Sequence, residues 1–402
     1  MHILLADRFP PSVAERIGRL GHVCHEKPDL VADELRTVIS GYDILVVRST
    51  PVTSETIAAS DVLSLVIRAG AGTNTIDVDA AAKRGIYVSN VPGRGAVAVA
   101  ELTMGLIIAI DRSIPDGVLA LRQGRWDKQR FSQAAGLYGR SLGVVGVGDI
   151  GLAVAERAAA FGMRLVVVEK PSRSEAVLER LAQVGARTVP SLERLAEVSH
   201  VVTFHVPAAE DTRGIIGPEF LRSLRPGAVV INTSRGDLID EEALLQAMDA
   251  KGIRCGIDAF PDEPEAAQAP FRSRLASHPN VYGTHHIGAS TEQAQLAIAD
   301  EMVRIIELFG QGTVVNVVNL ERTTLGTTTL SVRHYDEVGV LSEVFAVLRA
   351  ADINIEQMTN RIFAGARAAV ATMHVTGHVS VEVLEALRDI TPVLHVTAIP
   401  AP

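Results

Sequence analysis

A glycine-spaced turn, Gly146-Val147-Gly148-Asp149-Ile150-Gly151, constrains this chain more than any other feature. It lies between an apolar run at 142–145 and an amphipathic stretch at 153–161. Three glycines at this spacing, leaving a strand and entering a helix, suit one arrangement. The first permits a tight turn, the second lets backbone approach a pyrophosphate, and the third lets helix and strand pack closely. The helix N-terminus then presents unpaired N–H groups and a partial positive charge. Gly146, Gly148, Asp149, Ile150 and Gly151 are therefore candidate dinucleotide contacts. Further on, the run 165–168 ends in Glu169, placed to accept from a ribose 2′-hydroxyl and to repel a 2′-phosphate. That favours NAD over NADP, a preference softened by nearby Lys170 and Arg173.

The turn has company. Val/Ile/Leu-rich runs at 3–6, 44–47, 65–67, 142–145, 165–168, 201–205, 228–232 and 255–259 read as strands buried on both faces. They alternate with helical stretches, clearest at 153–161, 241–251 and 291–309, which predicts doubly wound parallel sheets. Segment 95–124 reads as one long helical stretch kinked or broken at Pro115, joining two domains. The expected division is a discontinuous first domain (1–94 with 289–318), a nucleotide-binding domain (95–288), a polar linker (319–326) and a tail domain (327–402). The tail orders its elements strand 328–334, helix 339–350, strands 353–362 and 367–375, helix 379–389 and strand 393–399. This is the ferredoxin-like βαββαβ order. The fold class is thus α/β, with two Rossmann-like domains and a small α+β tail.

Composition narrows the partners. Of 402 residues, 47% are apolar and 21% charged, as in a globular protein, and the net charge of −9 argues against nucleic acid. Cys24 and Cys255 cannot build a disulfide framework, so a cytoplasmic setting is expected. Asp7 and Arg8 interrupt the first apolar run, so no cleavable signal is expected, and the stretch 102–110 is too short to cross a bilayer. No metal site is expected.

Three later segments carry reactive side chains: Ser234-Arg235-Gly236, Asp262-Glu263-Pro264 and His285-His286-Ile287-Gly288. Arg235 follows a strand at the sheet's carboxyl edge, and its guanidinium can grip a carboxylate with two parallel hydrogen bonds. An arginine capping a helix or pairing with Asp237 is the plain alternative. Glu263 stands in a proline-stiffened segment, with Asp262 its rival. His285 and His286 point to opposite sides of an extended backbone, so one faces the cleft. Imidazole suits proton exchange near neutrality, and a carboxylate beside it favours the imidazolium. Cation, carboxylate and imidazole together describe hydride transfer on a 2-hydroxy or 2-oxo acid.

With Arg68-Ala69-Gly70-Ala71-Gly72, Asn232-Thr233-Ser234-Arg235-Gly236, Asp258-Ala259-Phe260-Pro261-Asp262-Glu263-Pro264 and His286-Ile287-Gly288-Ala289-Ser290-Thr291, the chain resembles the D-isomer-specific 2-hydroxyacid dehydrogenases over nearly its whole length. The last block is most like the members that oxidise 3-phospho-D-glycerate to 3-phosphohydroxypyruvate, the first step toward L-serine. The resemblance implies Arg235 on the substrate carboxylate, His286 as acid–base and Glu263 as its partner. It implies Glu169, Val206, Pro207, Ser234 and Asp258 along the NAD site. Gly70, Ala71 and Gly72 would bind the substrate through backbone N–H groups, with Arg48 and Arg68 at the phosphate end. Lys128 and Arg130 would reach a neighbouring subunit in a homodimer or homotetramer. The tail resembles an ACT domain, which implies an L-serine effector at His334, Asp336 and Asn354.

Three departures stand out: Gly95-Ala96 and Ala71 where the family usually carries polar side chains, and Val338 for a proline in the tail. The first two keep open another D-2-hydroxy acid, of the glyoxylate or hydroxypyruvate kind, as substrate, while Val338 makes the tail loop less rigid and the serine site less secure. A non-catalytic, corepressor-like NAD sensor is the remaining alternative.

Overall fold

The computed structural model describes residues 1–264, 268–321 and 325–401, so 322–324 of the expected linker and the last residue of the expected tail domain lie outside the described residues. The chain divides into two compact units, Met1–Asn319 and Leu320–Pro402.

The first unit holds two parallel sheets. One is built from β1 (His2–Leu5), β2 (Val23–Glu26), β3 (Ile44–Val47), β4 (Leu65–Arg68) and β5 (Tyr87–Asn90), in the order β2-β1-β3-β4-β5. The other contains β6 (Ser141–Val145), β7 (Arg164–Val168), β8 (Arg187–Val189), β9 (Val201–Phe204), β10 (Val229–Asn232), β11 (Arg254–Ile257) and β12 (Val281–Gly283). Its order is β12-β11-β10-β9-β6-β7-β8. Strand order reverses between β1 and β3 and between β6 and β9, and at such points the carboxyl ends open a crevice. The first crevice receives Asp7 and Arg48; the second receives Gly146 and His205. Every residue of β3 and β9 is buried, as the unbroken apolar runs require. Edge strand β2 is mostly exposed and carries no such run, which is why its sequence does not announce it.

Helix Glu292–Gly310 returns the chain from the second sheet to the first. Its Ile298, Met302, Ile305 and Ile306 pack with Ile3, Leu5, Ile44 and Val46 in one core cluster. Met302 and Ile306 are fully buried, each contributing roughly 1.5–3 kcal/mol of hydrophobic stabilisation. Helix Ala96–Arg112 buries Met104, Leu106, Ile107 and Ile110 against Leu142 and Val144 of the second sheet. The expected long stretch 95–124 does break, but at Ser113, whose left-handed φ of +49° ends the first helix. Pro115 sits in the first turn of the next helix, Ile114–Arg122, where its missing N–H costs nothing. The helix expected at 153–161 starts earlier, at Asp149, so its first turn belongs to the glycine turn itself, with Gly151 and Leu152 already buried. Both cysteines are free, and burial pushes the Cys24 thiol up to about 11 and the Cys255 thiol up to about 12.

The second unit is an antiparallel sheet of β13 (Thr328–Tyr335), β14 (Asn354–Ile362), β15 (Ala368–Thr376) and β16 (Val393–Pro400), in the order β14-β15-β13-β16. Helices Val340–Ala350 and Val381–Arg388 cover one face, completing the ferredoxin-like arrangement. β15 shows the alternation of a half-covered sheet: Ala369, Ala371, Met373 and Val375 are fully buried and their neighbours only partly so. Among the described residues, no helix is long and apolar enough to cross a membrane.

Candidate active site

The glycine turn after β6 has the predicted anatomy. Gly146 adopts φ +89°, and a Cβ there would overlap the backbone carbonyl of His205 on the neighbouring strand end. A Cβ at Gly151 would overlap the Gly146 carbonyl oxygen, so helix Asp149–Ala160 can approach β6 only with glycine there. Gly148 differs: among the described residues, its own chain neighbours aside, nothing lies within 4 Å of the place its Cβ would take. The backbone is bare on that side, which is the room a pyrophosphate needs at a helix N-terminus. The turn therefore fits a dinucleotide. Ile150 is half-buried, whereas the Asp149 carboxylate leans toward Gly93, 2.9 Å from a Cβ built there. Val206 stands over Gly146, and the exposed Pro207 gives its carbonyl to the Thr212 hydroxyl at 2.6 Å. Glu169, at the end of β7, is exposed. Arg173 turns back to the Val168 carbonyl, and burial lowers its pKa.

The carboxyl edge of β10 turns sharply. The buried Asn232 amide shapes the turn, donating to the Arg235 carbonyl at 2.8 Å and accepting from the Ser234 N–H at 3.1 Å. Ser234 donates its hydroxyl to the Phe204 carbonyl at 2.8 Å, so this side chain braces the turn. Arg235 Nη1 donates to the Ser234 carbonyl at 2.6 Å. Asp237 pairs with Arg213, at 3.8 Å, and acts on Arg235 through its charge without a direct ion pair among the described residues. A Cβ at Gly236 would overlap the Phe260 carbonyl, so this turn packs directly on the segment that carries Glu263.

His286 Nδ1 donates to both Glu263 oxygens, at 2.8 and 3.0 Å. The two side chains are 42% and 40% exposed, open enough for a substrate to reach the imidazole. Burial pushes Glu263 up. The hydrogen bond and charge of His286, a backbone hydrogen bond from Phe260 and the charge of Arg235 outweigh it, and the carboxyl ends below its usual value. The glutamate thus stays ionised beside the ring at neutral pH. Asp262 and His285 are exposed. The geometry chooses between the adjacent histidines through the backbone, which is not extended here as the alternation argument assumes. His286 has φ +53°, a left-handed conformation costing roughly 1–2 kcal/mol for a side chain of this kind.

Asp258 holds that conformation. Its carbonyl accepts from the His286 N–H at 2.8 Å. Its buried carboxylate accepts from the Thr284 hydroxyl at 2.5 Å and from the N–H groups of Ile287 and Gly288 at 2.9 and 2.8 Å. Asp258 is thus an anchor of the histidine loop, a part that its position in the sequence does not disclose.

The first sheet adds cations. Arg68, ending β4, folds back over Gly70, whose φ of +155° and missing side chain make the room. A Cβ at Gly72 would overlap the Arg235 guanidinium, which brings the loop 70–72 onto Arg235. Ala71 gives its carbonyl to Asn90 Nδ2 at 2.6 Å. Burial, then the charges of Arg235 and Arg48, against the opposing pull of Asp7, bring Arg68 down to about 10. Arg68 Nε is buried with no hydrogen-bond partner among the described residues. Burial lowers Arg48 and Arg235 as well. The repulsion that Arg235 and Arg48 exert on Arg68 would be relieved by an anion bound among them.

Lys128 and Arg130 lie on the exposed short helix Lys128–Phe131. In the second unit the three expected effector contacts are not gathered. His334 is buried, its Nδ1 donating to the Tyr335 carbonyl at 2.7 Å, and its Nε2 lies 3.4 Å from Asn360 Oδ1. Asn354 donates to Glu356 at 2.9 Å, and Asp336 is exposed.

The fold and this constellation define a two-sheet nucleotide-dependent enzyme, and comparison with known proteins agrees. The family model described as D-isomer specific 2-hydroxyacid dehydrogenase, NAD binding domain, matches residues 104–288. The chain belongs to the D-isomer-specific 2-hydroxyacid dehydrogenases, with NAD as the family's cofactor. It is 38% identical over 330 residues to a D-3-phosphoglycerate dehydrogenase of Methanocaldococcus jannaschii, a match covering 81% of this chain and 61% of that one. It is 40% identical over 279 residues to a hydroxypyruvate reductase of Thermotoga maritima, covering 69% of this chain and 88% of the relative. An NAD+-bound 3-phosphoglycerate dehydrogenase structure from Entamoeba histolytica superposes with a TM-score of 0.65 at 27% identity, over 80% of this chain and 99% of that one. The chain therefore spans only about 61% of the length of the first of these relatives.

Proposed function

We propose that this chain oxidises 3-phospho-D-glycerate to 3-phosphohydroxypyruvate, the entry to L-serine synthesis. The observation that carries the reading is the His286–Glu263 pair beside Arg235, backed by Arg68 and Arg48. Arg235 and the N–H groups of the loop 70–72 bind the substrate carboxylate. With Nδ1 given to Glu263, His286 uses Nε2 to take the C2 hydroxyl proton, and the ionised Glu263 steadies the imidazolium that forms. Gly146, Gly148, Ile150, Gly151, Asp149, Glu169, Val206 and Pro207 line the cofactor site, with Ser234 and Asp258 bracing it from behind. NAD, when bound, supplies the acceptor for the C2 hydride. Arg48 and Arg68 hold the phosphate.

In this reading the first sheet with 289–318 binds substrate, and 95–288 binds the cofactor. The protein works in the cytoplasm as a homodimer or homotetramer, Lys128 and Arg130 reaching the neighbouring site. The tail is an ACT domain for L-serine. A second reading, an unphosphorylated acid such as hydroxypyruvate, is favoured by Gly95 and Ala71, which offer a substrate no hydroxyl or amide. A non-catalytic sensor has no use for the His286–Glu263 pair.

The test is NAD+ reduction with 3-phospho-D-glycerate, run beside NADH oxidation with 3-phosphohydroxypyruvate, hydroxypyruvate and glyoxylate. Selective turnover of the phosphorylated pair supports the first reading. Preference for an unphosphorylated acid replaces it with the second.

A further inference from the structure

Arg48 is held from two sides by residues to which the reaction above gives no part. On one side, Asp7 Oδ2 accepts from the backbone N–H groups of Arg48, Ser49 and Thr50 at 2.6, 3.1 and 3.2 Å. Asp7 follows β1 and this loop follows β3, so the contact closes the switch-point crevice of the first sheet. On the other side, Arg48 Nη2 donates to Ser290 Oγ at 3.3 Å, across 242 residues of sequence. Ser290 is itself fixed, its N–H donating to the Ile287 carbonyl at 2.8 Å. Thr291 beside it caps helix Glu292–Gly310 through the Ala294 N–H at 3.2 Å. The loop that carries His286 thus reaches the guanidinium of the opposite sheet.

The hydrogen-bond polarity is informative. Because Ser290 Oγ accepts from Arg48, its own O–H is free to donate, and a cation behind a hydroxyl makes it a better donor to an anion. Arg48, Arg68 and Arg235 share the cleft, and with one substrate carboxylate on Arg235 the other two guanidiniums have only the charge of Asp7 set against them. Arg68 Nε has no hydrogen-bond partner among the described residues.

The geometry points to Asp7, Arg48 and Ser290 as the device that selects substrates with a second anionic group. Asp7 is a positioning residue that sets the loop bearing Arg48. Ser290 both locates the guanidinium and donates to an oxygen of that second group. This deepens the reading above and rests on it, since it concerns the phosphate end of the same substrate.

The test uses the full chain with NADH and compares 3-phosphohydroxypyruvate with hydroxypyruvate. Ser290→Ala should raise KM for the phosphorylated acid about ten-fold, the effect of one charge-assisted hydrogen bond, with kcat within about two-fold. KM for hydroxypyruvate should not move, and inorganic phosphate should lose about ten-fold as a competitive inhibitor. Asp7→Ala should give the same split, and Asp7→Asn, which keeps an oxygen to accept the loop N–H groups, should restore most of it. Ser290 is exposed, so its variant separates the outcomes even where Asp7→Ala does not fold. Equal KM or kcat changes for both acids in Ser290→Ala would overturn the selector while leaving the phosphorylated substrate in place. Wild-type preference for hydroxypyruvate would overturn both.

Discussion

The cleft of the first unit and the sheet of the second treat their polar residues differently. In the first, Arg68, Arg235, Asp258 and His286 come from four separate segments, and hydrogen bonds, charge coupling or close backbone approach join each to another. In the second, His334, Asp336 and Asn354 make separate local contacts. Strand direction explains the contrast. Parallel strands deliver every carboxyl end to one edge, so loops far apart in sequence meet there. Antiparallel strands divide their ends between two edges, and a covered face leaves only the other face and the rims for binding. A convergent site is therefore built into the first unit and has to come from elsewhere in the second.

Breaking the convergence should have the largest effect. His286→Ala should reduce turnover by about 10²–10⁴-fold while leaving NADH binding, followed by fluorescence titration, nearly unchanged. Unchanged turnover would remove His286 from the reaction.

The glycine turn offers a sharper division between folding and binding inside the same unit. Gly151→Ala drives a methyl into the Gly146 carbonyl and should lower stability by about 1–3 kcal/mol or more in thermal melts. Gly148→Ala meets no protein atom, so stability should stay within about 1 kcal/mol, with NADH affinity falling about ten-fold or more. Equal destabilisation by both would mean that Gly148 serves packing and not a ligand.

The smallest effect is expected in the tail. If it senses L-serine, titration of the intact protein should shift activity by a coupling of about 1–3 kcal/mol, and Asp336→Ala or Asn354→Ala should abolish the shift. His334→Ala is a poorer probe, because that ring is buried and braces its own sheet. No serine response in the wild type would leave the tail as an assembly module.

Much of this was legible in one dimension. Continuous Val/Ile/Leu runs announced the central strands, because a strand buried on both faces has no choice of composition. Glycine spacing announced the cofactor turn, because only hydrogen fits where backbone meets backbone. The edges were less legible: β2 and β8 are short and mostly exposed, and the first turn of helix Asp149–Ala160 is merged with the glycine turn. Arg235, Glu263 and His286 could be picked out by residue type and order. The tertiary structure added that His286 is a left-handed residue pinned by Asp258, and that Asp258 and Ser234 spend their side chains bracing the turns around it. It alone joined Asp7, Arg48 and Ser290. Local sequence determines which elements form, because periodicity and backbone freedom act over a few residues. Which side chains end up facing one another depends on contacts across hundreds of residues, and only the folded chain settles those.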